Sequence, residues 1–181
     1  KYILKLGVSM IPIFIAGIFF KDFVESFYQG DIKFVGYMLL ITALLLILVT
    51  FIGKTQNKNI PFVDALLIGI AQVLAVLPGI SRSGLTITTG LLLGNNREET
   101  AKFSFLMVIV PVIGANFLEI IDSNPFAMQE AFSFNYVLGF IAAFLSGLFA
   151  CKWMIQLVKK GKLIYFGIYC LLVGIFAILL G

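Results

Sequence analysis

Ala75-Val76-Leu77-Pro78-Gly79-Ile80-Ser81-Arg82-Ser83-Gly84-Leu85-Thr86 interrupts an otherwise apolar stretch, Ala65 to Gly94. As one helix, those 30 residues would run about 45 Å, well beyond a bilayer core. Pro78 and Gly79 break a helix, and Arg82 is costly at membrane depth. The arms on either side, Ala65–Leu77 and Leu85–Gly94, are each too short to cross. The stretch therefore reads as a re-entrant hairpin, with both ends on one face of the membrane.

The rest of the chain supplies the membrane. Of 181 residues, 61% are hydrophobic and 12% charged, and the mean hydropathy is +1.08. A soluble domain carries about a quarter charged residues, so a water-soluble globule, a disordered chain and a disulfide scaffold are excluded. The apolar runs are continuous, which argues against a barrel. Five segments read as crossings: Leu6–Phe20, Phe34–Ile52, Phe103–Ile121, Tyr136–Met154 and Leu163–Leu180. Polar connectors separate them at Lys21–Lys33, Gly53–Asp64, Asn95–Lys102, Asp122–Asn135 and Ile155–Lys162. The expected fold is all-α, polytopic, with about five spanning helices and a re-entrant helical hairpin, part of an inverted-repeat fold.

Charge placement tests that parity. With Ala65–Gly94 re-entrant, ten Lys and Arg residues fall on one side, and only Lys21 and Lys33 on the other. With the stretch crossing, and Arg82 again left out, the tally is eight against four. The first distribution obeys the positive-inside rule and places Lys1 in the cytoplasm and Gly181 outside. A faint echo, Phe34-Val35-Gly36-Tyr37 against Tyr165-Phe166-Gly167-Ile168, opens two spans that then run in opposite directions, as inverted repeats do. The net charge of +4 reflects this bias; no basic cluster with exposed aromatics points to nucleic acid. Cys151 and Cys170 read as small buried hydrophobes, not a bridge. His is absent, which removes the commonest general base.

The interrupted string has the parts of an anion site. Pro78 stops the first arm, and Gly79 and Gly84 allow tight turns. The second arm starts near Ser83, with unpaired N–H groups and the positive end of its dipole. Ser81, Ser83 and Thr86 add hydroxyls. Arg82 adds a forked cation that can grip a phosphate at two oxygens. The bland alternative is that the serines cap a broken helix while Arg82 snorkels to the interface.

Pro78 to Thr86 resembles the signature of the undecaprenyl-diphosphate phosphatase family, the bacitracin-resistance proteins. Gly69-Ile70-Ala71-Gln72, Gly90-Leu91-Leu92-Leu93-Gly94 and Ala101-Lys102-Phe103-Ser104-Phe105-Leu106 are similar too. The resemblance implies removal of the terminal phosphate from a C55 polyprenyl diphosphate, which recycles a lipid carrier of cell-wall synthesis at the bacterial inner membrane. It implies Arg82, Ser81, Ser83 and Thr86 as catalytic residues, and Arg82, Gly79, Ser83, Gly84 and Gln72 around the phosphates. It also implies a divalent cation, Mg2+ or Ca2+, with ligands outside this chain. In domain terms, 1–64 would end a first repeat and 65–181 form a second, with hairpin 65–94. A first hairpin, bearing an acidic pair and a Ser- and His-containing turn, would precede Lys1, so this stretch alone is expected to be inactive. Partners on this reading are the polyprenyl diphosphate and membrane lipids; a homodimer stays open. The rival class is transport, a flippase or anion carrier on the same architecture.

Among the remaining polar residues, Asn116 reads as interhelical glue or support for the site, and Glu119 and Asp122 as solvated. Arg97, Glu98 and Glu99 read as a capping turn, Tyr136 and Trp153 as interfacial aromatics, and Lys152, Lys159, Lys160 and Lys162 as a topology signal.

Overall fold

The computed structural model describes residues 2–19, 32–52, 58–122 and 134–181. Parts of the connectors Lys21–Lys33, Gly53–Asp64 and Asp122–Asn135, and the side chains of Glu119 and Asp122, lie outside the described residues. The described residues are helical: α1 Tyr2–Phe19, α2 Ile32–Ile52, α3 Phe62–Leu74, α4 Arg82–Leu92, α5 Arg97–Asp122, α6 Phe134–Lys159 and α7 Ile164–Leu180. Three of them, α1, α2 and α6, are long and apolar enough to cross a membrane. Of the other expected crossings, α7 has 17 residues, and α5 opens with the charged Arg97-Glu98-Glu99 turn.

The break at Pro78 and Gly79 is real. Helix α3 ends at Leu74, and Val76, Leu77 and Ile80 wind down through short i to i−3 bonds. The helix stops ahead of the proline because Pro78 offers no N–H and disfavours α geometry just before it. Ser81 caps α4, which begins at Arg82, one residue before the expected Ser83.

Both open ends of this hairpin meet at one place. Asn95, just after α4, donates to Asp64 in the first turn of α3 at 2.9 Å. Lys58 Nζ lies 3.2 Å from the same carboxylate oxygen, and the Asn96 N–H donates to the Lys58 carbonyl at 3.0 Å. Thus α3 and α4 are antiparallel arms that leave from a shared base. Asn96 then caps α5, accepting from Glu98 N at 2.9 Å and Glu99 N at 3.2 Å.

Parity is independently visible between α2 and α7. A Cβ on Gly36 would sit 3.0 Å from the Gly174 carbonyl oxygen, and one on Gly167 would sit 3.3 Å from that of Ala43. Rising numbers on one helix pair with falling numbers on the other, so the two run antiparallel at glycine-permitted distance. Had 65–94 crossed the bilayer, α7 would run parallel to α2.

Two apolar clusters hold the arms. Helix α4 buries Ile87 and Leu91 against Ala43, Leu46 and Val49 of α2, with Val158, Leu163 and Cys170 beside them. Helix α3 buries Ala65 and Ile68 against Met10 of α1 and Phe103 and Met107 of α5. Gly69 lets α3 close directly onto the Ser9 backbone. Outside these clusters the helices face outward with apolar side chains, Phe140 and Phe149 among the most exposed. That is the surface a lipid-embedded protein presents.

Cys151 departs from expectation. It is a free, exposed thiol on α6, whereas Cys170 is buried. The sequence-based expectation took apolar neighbours as burial, but on a lipid-facing helix apolar neighbours are the surface. Tyr136 and Trp153 are exposed near the ends of α6.

Candidate functional site: the tip of the re-entrant hairpin

The tip, Ala75 to Ser81, rests on α2. Gly79 adopts φ +93°, and a Cβ there would meet the Val35 carbonyl oxygen at 2.5 Å and Met38 Cβ at 2.9 Å. Only glycine suits both the left-handed backbone and the close approach. One turn further along α2, Thr42 Oγ1 accepts from the Ser81 N–H at 3.2 Å while donating to the Met38 carbonyl at 3.1 Å. Thr42 is mid-way along the 21 residues of α2, about 15 Å from either end. The hairpin tip therefore reaches the middle of the apolar layer. Thr42 is one of two threonines inside the Phe34–Ile52 run, the other being Thr50, and its role became visible only once the tip was placed on it.

Ser81 Oγ accepts from Gly84 N at 3.1 Å, and the Ser81 carbonyl accepts from Leu85 N at 2.8 Å. Gly84 is thus not a turn residue, as expected, but a position inside the first turn of α4. A Cβ on Gly84 would stand 2.9 Å from Ser81 Oγ, so its absence makes room for the cap. With these bonds made, the N–H groups of Arg82 and Ser83 remain as the free donors of the helix start. Arg82 and Ser83 are partly buried. No carboxylate among the described residues pairs with Arg82.

The remaining site candidates sit deeper. Thr86 is fully buried and donates to the Arg82 carbonyl at 2.9 Å, with the Ser83 carbonyl at 3.3 Å. Its hydroxyl proton serves the backbone under Arg82. Gln72 is also fully buried, on the packed face of α3. The structure thus gathers Gly79, Ser81, Arg82 and Ser83 at the tip, and sets Thr86 and Gln72 below it. Asn116 lies on an exposed face of α5 and donates to the Val112 carbonyl within its own helix at 2.7 Å.

An arginine, two backbone N–H groups without a partner among the described residues and the positive end of a helix dipole, all at the start of α4, supply the parts of an anion holder. Among the described residues the acids lie elsewhere. Asp64 is at the hairpin base, and Glu98 bonds Lys102 and Lys159, each at 2.8 Å. Those two lysines pull the Glu98 carboxyl down to about 2. No group of three His, Cys, Asp or Glu suited to a metal occurs among the described residues. Those residues do not fit the divalent cation that the resemblance implies.

Comparison with known proteins covers nearly the whole chain. The family model of the bacitracin resistance protein BacA matches residues 1–176. An undecaprenyl-diphosphatase of Bacteroides fragilis is 51% identical over 98% of this chain and 68% of its own length. One of Bacteroides thetaiotaomicron is 48% identical over 99% of this chain and 69% of its own. One of Methanococcus vannielii is 43% identical over 98% and 70%.

Proposed function

Since this chain belongs to the bacitracin resistance protein BacA family, we propose that its hairpin tip is the phosphate clamp of an undecaprenyl-diphosphatase. The protein is a membrane hydrolase that converts undecaprenyl diphosphate to undecaprenyl phosphate and inorganic phosphate, recycling the lipid carrier of cell-wall synthesis. The observation that carries the assignment of roles is the mid-layer position of Arg82, at the free N-terminus of α4 and next to the Ser81–Thr42 contact.

In this reading the polyprenyl tail lies along the outward apolar faces and the diphosphate head enters at the tip. Arg82 and the N–H groups of Arg82 and Ser83 hold the terminal phosphate and the charge that grows on its oxygens as the anhydride P–O bond breaks. Ser83 offers a hydroxyl at the same place. Ser81 and Gly84 act through the cap, and Gly79 through the turn. Thr86 fixes the carbonyls beneath Arg82, and Gln72 stands behind them. Water supplies the incoming oxygen. Its proton passes to solvent or to the departing undecaprenyl phosphate. The cytoplasmic charge bias and a mid-layer tip together let a cytoplasm-rooted hairpin serve a head group arriving from the outer leaflet of the bacterial inner membrane.

The test uses the intact protein in liposomes loaded with undecaprenyl diphosphate in one leaflet. Release of inorganic phosphate at the rate of lipid loss supports hydrolysis. Movement of intact diphosphate between leaflets without release would support transport and overturn the assignment.

A further inference from the structure

Among the described residues, five buried side chains have polar atoms with no hydrogen-bond partner: Gln72 on α3 (both Nε2 and Oε1), Thr88 on α4, Asn95 just after it, and Thr100 and Ser104 on α5. Each is 1% exposed or less. Leaving such groups unpaired is strongly unfavourable, so where they face one another they mark an organised polar site.

Their placement follows from the packing. At Gly90 a Cβ would meet Ile68 Cδ1 at 3.2 Å and Thr100 Oγ1 at 3.3 Å, so Ile68, Gly90 and Thr100 share one level. Helices α3 and α5 both climb from the hairpin base, while α4 descends toward it. Gln72 lies one turn above Ile68, Ser104 one turn above Thr100, and Thr86 one turn above Gly90, each on the same face of its helix, whereas Thr88 falls on the opposite face of α4. Gln72 and Ser104 thus occupy the level of Thr86, whose hydroxyl holds the Arg82 and Ser83 carbonyls.

We propose that Gln72 and Ser104, beside Thr86, enclose an internal hydration site, holding on the order of one or two water molecules, and that Gln72 is a positioning residue for the Arg82 turn. Water suits the donor set better than a metal cation. The Gln72 amide presents N–H donors as well as an acceptor, and a cation would leave the Nε2 donors unpaired. Water accepts from Nε2, donates to Oε1 and reaches the free lone pairs of the Thr86 hydroxyl. The first arm is thereby coupled to the carbonyls that orient Arg82.

The kinetic part rests on the phosphatase reading; the hydration site does not. A high-resolution structure of the intact protein should show ordered water within hydrogen-bond distance of Gln72 and Ser104, and S104A should lose or displace it. Gln72→Leu, close in volume and without polar atoms, should lower the thermal midpoint only slightly, because the water and Ser104 lose one partner. It should nevertheless lower kcat for phosphate release about tenfold while leaving KM within about twofold. S104A should share that kinetic pattern and serves if Q72L does not fold. A direct Gln72–Ser104 bond with no water, or wild-type kcat in both variants, overturns the proposal. An inactive wild-type protein would instead sink the phosphatase reading while the water density still decided the site.

Discussion

Asn95 gives an amide hydrogen to Asp64 across 2.9 Å, although 31 residues separate them in the chain. The same Asn95 nitrogen also reaches the Gly90 carbonyl at 3.1 Å, and Asn95 is fully buried. One side chain thus closes the base of the hairpin and ends its second arm. Asn95→Leu should cost about 1–3 kcal/mol, because Asp64 loses a buried donor. Thermal unfolding in detergent measures this, and an unchanged midpoint would show that the clasp does not hold the hairpin.

A shared base makes a topological prediction. With Cys151 and Cys170 replaced, single cysteines at Lys58→Cys and Lys160→Cys should react with a membrane-impermeant thiol reagent from the same side, the cytoplasmic one by charge bias. Labelling from opposite sides would mean that residues 65–94 cross the bilayer.

Gly79→Ala tests the seating of the tip. Its φ of +93° disfavours any side chain, and the new methyl would press on the Val35 carbonyl. Left-handed strain alone costs about 1–3 kcal/mol, and the displaced tip should lower phosphate release as well. A variant with wild-type stability and activity would remove the tip from α2.

Thr42→Val keeps shape and deletes the acceptor for the Ser81 N–H. Leaving that donor unpaired should cost about 1–3 kcal/mol. Turnover should fall more than substrate affinity, since the cap beside Arg82 is what shifts. Differential scanning and steady-state kinetics on one preparation separate the two effects.

Glu98 governs a pH effect at the charged face. Its carboxyl is lowered from 4.5 to about 2 by hydrogen bonds from Lys102 and Lys159. A depressed carboxyl stabilises the folded state fully above its unfolded value and loses that contribution as pH falls toward 2. Glu98 is solvent-exposed, so the effect is small and weakens with salt. Glu98→Gln should reduce the acid dependence of the unfolding midpoint between about pH 4.5 and 2; an identical profile would dismiss the bridge.

The hairpin was legible because its signals are local. Proline, glycine and a capping serine act on neighbouring backbone, and arginine in an apolar run is conspicuous wherever it falls. The positive-inside count favoured the re-entrant reading because loop charges can be read directly from the sequence. What eluded the sequence was non-local. Nothing in Asp64 or Asn95 announces that they meet, and Thr42 declares itself only when the tip lies against it. Gly84 looked like a turn glycine because glycine serves turns and close contacts alike, and only the Ser81 cap tells them apart. Cys151 was misplaced because the usual link between apolar surroundings and burial inverts where lipid is the solvent.

The central claim is that the Arg82 guanidinium, held mid-layer at the start of α4, grips the diphosphate. Phosphate release from undecaprenyl diphosphate by intact Arg82→Ala protein tests it most directly, with wild-type folding established by its unfolding midpoint. The account predicts a loss of about 100-fold or more; turnover within about twofold of wild type would contradict it.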